Sequence, residues 1–320
     1  MARITTHNRP SLLPSLREGA AMGISLAVWL GVTALCIGFR PEHVVMAVLL
    51  AALFIANPHT RRIVVALVPF ALFGISYDWM NLLPNYKVNP VDIQGLYDLE
   101  KSLFGIAAAD GGVLTPNEFF AIHHSSLADV FAGFFYLCWV PVPILFGLWL
   151  YFDGQRREYL HFAMVFLFVN LLGFALYYVH PAAPPWYVAA HGFDFIEGTP
   201  GEVAGLGRFD ELTGLGIFNS LYARNANVFA AMPSLHSAYM LIAFIYSLRA
   251  KCPVWMRIVC GTICVGIWFT AVYSSHHYIL DVLGGIGVTL AGYFIFEYLL
   301  MSIPAFSRFT DRYAAYISND

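Results

Sequence analysis

Eight stretches of this sequence are each apolar over roughly the thickness of a lipid bilayer, and that recurrence leaves few folds open. A spanning helix needs roughly 20 mostly apolar residues, because the hydrocarbon layer is about 30 Å thick and each helical residue rises about 1.5 Å. The stretches run over about 19–39, 43–57, 63–82, 127–152, 160–179, 229–248, 254–273 and 278–302. The second is short and bracketed by Pro41 and Pro58, so a re-entrant segment is the alternative there. Lipid offers no hydrogen bonds to backbone amides, which restricts such a chain to helices that satisfy their own. The expectation is an all-α polytopic transmembrane bundle of about eight spans. No long polar linker divides the chain, so residues 1–320 read as one integral membrane domain, with N-terminal helices over about 1–82 and a core over about 83–302. A residue balance of 59% hydrophobic against 12% charged excludes an ordinary soluble domain.

Charge then orients the bundle. With eight crossings and a cytoplasmic N-terminus, one side receives twelve Lys and Arg residues, from Arg3, Arg9 and Arg17 to Arg308 and Arg312. The other receives five, Arg40, Lys87, Lys101, Arg208 and Arg224. That asymmetry follows the positive-inside rule and predicts both termini in the cytoplasm. The net charge of −3 and the absence of a basic run argue against a nucleic-acid partner. The five cysteines sit in or beside apolar runs and read as buried fillers. No small-residue cleavage site follows a short apolar core near the start, so the first helix reads as retained.

Two long segments, about 83–126 and 180–228, then fall on the non-cytoplasmic side. The first carries Asp92, Asp98, Glu100 and Asp110, and Val91 to Phe104 has apolar residues near helical spacing, as in a helix lying along the membrane surface. The second is dense in Pro, Gly and aromatic residues; Trp186 and Tyr187 there read either as interfacial anchors or as substrate contacts.

Chemistry concentrates at two helix starts on that same side. In Ala231-Met232-Pro233-Ser234-Leu235-His236, Pro233 and Ser234 suit the opening of a helix, whose free N–H groups and positive dipole end favour an anion such as phosphate. His236 stands at that end, placed to give a proton to a departing oxygen. In Ser275-His276-His277-Tyr278-Ile279-Leu280-Asp281, His277 and Asp281 are four residues apart. On a helix they share a face, so the carboxylate holds one imidazole nitrogen and leaves the other as a nucleophile. An aspartate inside a spanning segment is costly without a partner and marks a functional site. A metal site built from His236, His276, His277 and Asp281 is the competing reading; adjacent His276 and His277 diverge by about 100° on a helix, which disfavours convergence on one ion.

These residues resemble the core pattern of the type 2 phosphatidic acid phosphatase superfamily, in which a Pro-Ser-x-His helix start is paired with a later His-x-x-x-Asp. The matching positions are Pro233, Ser234, His236, His277 and Asp281. The chain is most similar to the inositol phosphorylceramide synthase branch of that family. That likeness rests on Ala183-Pro184-Pro185-Trp186-Tyr187, on Ala204-Gly205-Leu206-Gly207-Arg208-Phe209-Asp210, on Pro233 to Ser237, and on His276-His277-Tyr278 with Asp281. The resemblance implies a six-helix phosphatase-like core with extra N-terminal helices. It also implies a two-step displacement: His277 attacks phosphorus to form a phosphohistidine, Asp281 steadies the imidazolium, and His236 protonates the leaving oxygen. No cofactor or divalent metal is required by this scheme.

The chain departs from the phosphatases in its basic residues. Their Lys or Arg followed at a distance by Arg-Pro has no match in the outer segments; Arg9-Pro10 falls on the predicted cytoplasmic side. The arginine that they place six residues before the second histidine is Ala271 here. Arg208 and Arg224, the arginines of the segment leading to His236, are the substitutes for a phosphate clamp. With water as acceptor the enzyme is a lipid phosphatase, acting on a phosphatidate or phosphoinositide phosphate. With a lipid hydroxyl such as that of a ceramide it is a phosphotransferase moving a phospho-head group, phosphoinositol above all. A transporter using His and Asp as a proton relay is a third reading, opposed by the gathering of those groups at one face. The partners expected are lipids and the membrane. The host membrane is either a bacterial inner membrane or a eukaryotic secretory membrane, with the site on its non-cytoplasmic face.

Overall fold

The structure, a computed structural model, describes residues 13–38, 40–222 and 227–318. Its backbone bonds are made almost wholly inside helices. In chain order these are α1 (Leu16–Cys36), α2 (Pro41–Ala56), α3 (Pro58–Ala66), α4 (Val68–Trp79), α5 (Gln94–Phe104), α6 (Pro116–Ile122), α7 (Ser126–Leu137) and α8 (Pro141–Phe152). There follow α9 (Arg156–Val179), α10 (Pro185–His191), α11 (Gly207–Thr213), α12 (Ile217–Tyr222), α13 (Leu235–Arg249), α14 (Val254–Tyr273), α15 (Ile279–Phe294) and α16 (Pro304–Ser318). One small antiparallel pair, Ile106–Ala107 with Val113–Leu114, is the only two-stranded ladder among the described residues.

Four described helices are long and apolar enough to cross a membrane alone: α1, α9, α14, and α15 continued to Leu300. Two bent pairs raise the count to six, α3 with α4 to Leu82 (46°) and α7 with α8 (45°). Proline explains both bends, since Pro69 opens α4 and Pro141 and Pro143 open α8, removing amide donors where the second helix begins. Two of the eight expected spans are short. α2 has 16 residues, and α13 begins only at Leu235 and has 15, a length of about 22 Å. Residues 229–234 do not extend α13 backwards; instead Ala230 bridges to Ala182, which bridges to Asp92. That pairing brings three distant segments together just above the helix starts. An unforeseen helix closes the chain: α16 buries Thr310, Ala314 and Ile317, and hydrogen-bonds α1 and α3 through Tyr316 to Glu18 (2.7 Å) and Tyr313 to the Val65 carbonyl (2.6 Å).

α13 is the axis of the bundle and packs on α8, α9, α14 and α15. Its buried Tyr239 and Tyr246 meet Phe166 (centroids 4.7 Å) and Phe162 (5.8 Å) of α9. Toward α15 the approach is closer than side chains allow. A Cβ on Gly285 would lie 2.1 Å from both the Ser234 carbonyl oxygen and Ser237 Oγ, so glycine there lets the two site-bearing helices touch through their backbones. At its far end, Arg249 pairs with Glu158 (2.9 Å) and with Glu297, which also meets His161 Nδ1 (2.9 Å). A π-helical turn, Ile295–Leu300, carries Glu297. This half-buried network fixes α13 about 20 Å from its other end.

Candidate active site

The N-termini of α13 and α15 lie side by side, so two positive dipole ends are near each other. His236 is the second residue of α13. His277 sits in the tight turn between α14 and α15, where Ser275 has a left-handed φ of 61° and the N–H groups of His276 and His277 both donate to the Ala271 carbonyl (3.1 and 2.9 Å). This turn places the two histidines in contact: His236 Nδ1 lies 3.0 Å from His277 Nε2. His277 Nδ1 lies 3.4 Å from Asp281 Oδ2, an ion-pair distance longer than an ordinary hydrogen bond.

The expected route to that last contact was wrong in one respect. His277 and Asp281 do not share a helix face, because α15 starts two residues after His277. Asp281 instead occupies the third position of α15 and reaches back over the helix start, accepting the Tyr278 N–H at 2.8 Å while lying beside the ring. The carboxylate is fully buried. Its backbone carbonyl accepts the Ser234 N–H at 2.8 Å, which ties the two histidine-bearing helix starts directly to each other.

That tie also changes the reading of Ser234. Its amide is spent on Asp281 and is not available to a phosphate, while its hydroxyl is buried without a partner. Pro233 lies over Gly284 of α15. Trp186 and Tyr187 are not exposed anchors. Trp186 is buried, donates its backbone N–H to Ser275 at 3.0 Å, and lines the cavity at the histidines. Tyr187 is fully buried, donating its hydroxyl to Asp194 and accepting from Ile196 at 2.8 Å each, so it holds its own loop together. His276 faces the cavity, with Nδ1 3.0 Å from Ser274 Oγ and its ring 4.4 Å from that of Tyr222. Arg224 lies outside the described residues.

Arg208 is held and not free to roam. Its Nε donates to Asp129 Oδ1 at 2.6 Å, and the guanidinium lies 5.1 Å from the centre of the Tyr273 ring. The Tyr273 hydroxyl donates to the same Asp129 oxygen at 2.8 Å. A Cβ on Gly205 would come within 3.0 Å of the guanidinium nitrogens and 2.8 Å of Ser274 Cα, so glycine there makes room for the cation beside the turn that carries the histidines. Nη2 of Arg208 is buried with no partner.

Several residues that support the site gave no local signal. Glu100 of α5 accepts the N–H groups of Ile279 (2.9 Å) and Leu280 (3.1 Å), capping α15 from the other end of the sequence. Burial holds its carboxyl above the usual carboxylate range, with the two N–H bonds pulling against that shift. Asn117 donates to the carbonyls of Val272 and His277 at 2.8 and 2.9 Å, clamping both sides of the turn. Tyr136 of α7 lies with its ring 5.0 Å from that of His236, and Trp139 at 4.6 Å. Each acts on backbone or ring faces far away in sequence, which no spacing reveals. The arrangement sets two imidazoles in contact, with a fully buried carboxylate behind one of them.

Comparison with known proteins places these features in context. A family model described as the PAP2 superfamily matches residues 113–295. The chain is 60% identical over 306 residues to a phosphoinositol dihydroceramide synthase of Bacteroides thetaiotaomicron, covering 95% of this chain and 100% of that protein. It is 30% identical over 175 residues to the inositol phosphorylceramide synthase of Candida albicans, covering 51% of this chain and 35% of that one. Over 256 residues it is 27% identical to the catalytic subunit of inositol phosphorylceramide synthase of Saccharomyces cerevisiae, covering 78% and 59% respectively. No solved structure matches significantly.

Proposed function

The chain belongs to the PAP2 superfamily, and we propose that it transfers a phosphoinositol head group from a glycerolipid to the hydroxyl of a ceramide-type lipid. The protein is a helical integral membrane enzyme, a lipid phosphotransferase. One observation carries the chemistry: the 3.0 Å contact between His236 and His277, with Asp281 behind His277.

In the first half-reaction His277 Nε2 attacks phosphorus, the bond from phosphorus to the diacylglycerol oxygen breaks, and His236 gives that oxygen its proton. Asp281 balances the charge that the ring gains at its far side. In the second half His236 takes the proton of the acceptor hydroxyl, whose oxygen attacks phosphorus. The P–N bond breaks and His277 returns to its starting state. His276 and the buried Trp186 border the reacting groups, while Pro233, Ser234 and Tyr187 act through the shape of the helix start and loop.

Arg208 is the proposed phosphate clamp, with Arg224 in the same outer segment as a second cation. Asp129 and Tyr273 hold the Arg208 guanidinium in one orientation, and the unpartnered Nη2 is the donor offered to a phosphate oxygen. Arg208→Lys keeps the charge and loses the fork, so turnover is expected to fall by about 10²-fold. Wild-type kinetics in Arg208→Lys would remove this residue from the clamp.

The proposed topology has eight crossings, with α2 and α13 as the short ones, both termini cytoplasmic and the histidines on the non-cytoplasmic face. The uneven distribution of Lys and Arg supports it. Residues 1–82 and 83–302 are proposed to work as one membrane domain.

The test is incubation of the purified protein in lipid with labelled phosphatidylinositol, with and without a ceramide. A new inositol-containing phosphosphingolipid that appears only with the ceramide is the expected product. Release of free phosphate from a phosphorylated lipid, with phosphatidylinositol untouched, would keep the site and make the activity hydrolysis.

A further inference from the structure

The histidines form one end of a cavity of about 240 Å³, which Pro184, Trp186, Asn227 and Val228 of the segment before α13 also border. Its other end is built by residues outside the segment matched by the family model: Phe73 and Tyr77 of α4, and Met80 of the turn that follows. Phe174 of α9 closes the side between them. A continuous aromatic ladder joins the two ends. Phe73 meets Tyr239 edge-on with centroids 5.8 Å apart, Tyr239 stacks on Trp139 at 5.5 Å, and Trp139 lies 4.6 Å from His236. Met80 and Phe174 are buried, whereas Tyr77 is 41% exposed and stands at the rim.

We propose that α4 and the turn after it form the wall of a slot that receives the hydrocarbon of the lipid alcohol on whose oxygen His236 acts. This rests on the head-group transfer proposed above and names where the apolar part of the substrate goes. Phosphorus must lie at His277 Nε2, and the oxygen that leaves or enters must lie at His236. The carbon attached to that oxygen therefore continues from His236 away from His277, and the aromatic ladder is the surface that runs from His236. By microscopic reversibility the oxygen leaving in the first half and the one entering in the second use the same acid–base group, so both lipid alcohols use this slot in turn. At about 240 Å³ it is smaller than the roughly 300–1,000 Å³ of pockets that engulf a small ligand, and it has room for the reacting end of one lipid at a time. The slot is apolar, so it favours an alcohol with a chain over water. Phe73, Tyr77 and Met80 add to an apolar lining that Trp139, Phe174 and Tyr239 of the matched family segment already begin.

The test fills the slot at two independent positions, Phe73→Trp and Met80→Trp, in the full-length protein reconstituted in lipid. The reading is the ratio of transfer to a long-chain ceramide over transfer to a short-chain, water-soluble ceramide, from the same donor. Because both rates come from one preparation, the fraction of folded protein cancels. The ratio is expected to fall by about tenfold or more in both variants. An unchanged ratio in variants that still turn over the short acceptor would overturn the slot. Should a tryptophan variant be inactive on both acceptors, Phe73→Leu is read the same way, with the ratio expected to shift and constancy again counting against the slot. Wild-type protein that transfers to neither acceptor would remove the transfer reading itself, and the slot with it, an outcome distinct from an active wild type with insensitive variants.

Discussion

His277→Ala is expected to abolish head-group transfer, with turnover falling by about five to six orders of magnitude, because no other group stands at the position of attack. The variant keeps the main-chain bonds of the turn, since His277 still donates to Ala271 and accepts from Asn117; the ring that it loses meets His236, Asp281 and the Ala231 backbone. His236→Ala differs in kind. It removes the proton donor and leaves the nucleophile, so losses of about 10²–10⁴-fold are expected, smaller for donors whose leaving oxygen needs no proton. Rapid quenching after mixing with donor labelled in the phosphate separates the two. Wild type and His236→Ala are expected to carry acid-labile, base-stable label on protein, and His277→Ala to carry none. Label that persists on His277→Ala would assign the nucleophile elsewhere.

Asp281→Asn is expected to cost about 10⁴-fold in turnover while leaving the thermal midpoint close to wild type. The amide oxygen can still accept the Tyr278 N–H, so the start of α15 stays capped. The oxygen that accepts the Tyr278 N–H is also the one beside His277 Nδ1, so the amide oxygen keeps both contacts, and what is lost is the negative charge that balances the ring when it becomes cationic. Asp281→Ala, by contrast, also strips the cap and is expected to lower the midpoint as well as the rate. An asparagine variant within tenfold of wild-type turnover would show that the carboxylate's charge does not support the attack.

The apolar runs foretold most of the helices because lipid leaves the backbone a single way to satisfy itself. They failed where a run continued past the helix it announced. Residues 229–234 are apolar yet non-helical, since their backbone is claimed by Ala182, and that claim depends on tertiary contact. α16 escaped notice because it is amphipathic and packs on α3 and α9, with hydrogen bonds to α1, instead of facing lipid all round. His236, His277 and Asp281 stood out because rare polar groups in apolar surroundings are conspicuous. Their supporters did not. The helical spacing around Glu100 was legible, but nothing local said that its carboxylate would turn inward to the end of α15. Asp129, near the start of the fourth apolar run, and Asn117, ahead of it, carry no local mark, and only the fold shows one holding Arg208 and the other clamping the histidine turn. Arg208 itself was identified by elimination among outer cations, which said nothing of its pairing.

The bonds from Glu100 to Ile279 and Leu280 join residues 179 and 180 positions apart. During synthesis the carboxylate leaves the ribosome long before the helix that it caps, and it has no such partner until α15 has entered the membrane. His277, next to that helix start, acquires its final setting only once α15 is in place. Nascent or truncated forms lacking α15 thus carry His236 and His277 without Asp281 and without the capped helix start beside them, so half-made copies are expected to add no stray lipid-cleaving activity to a host membrane.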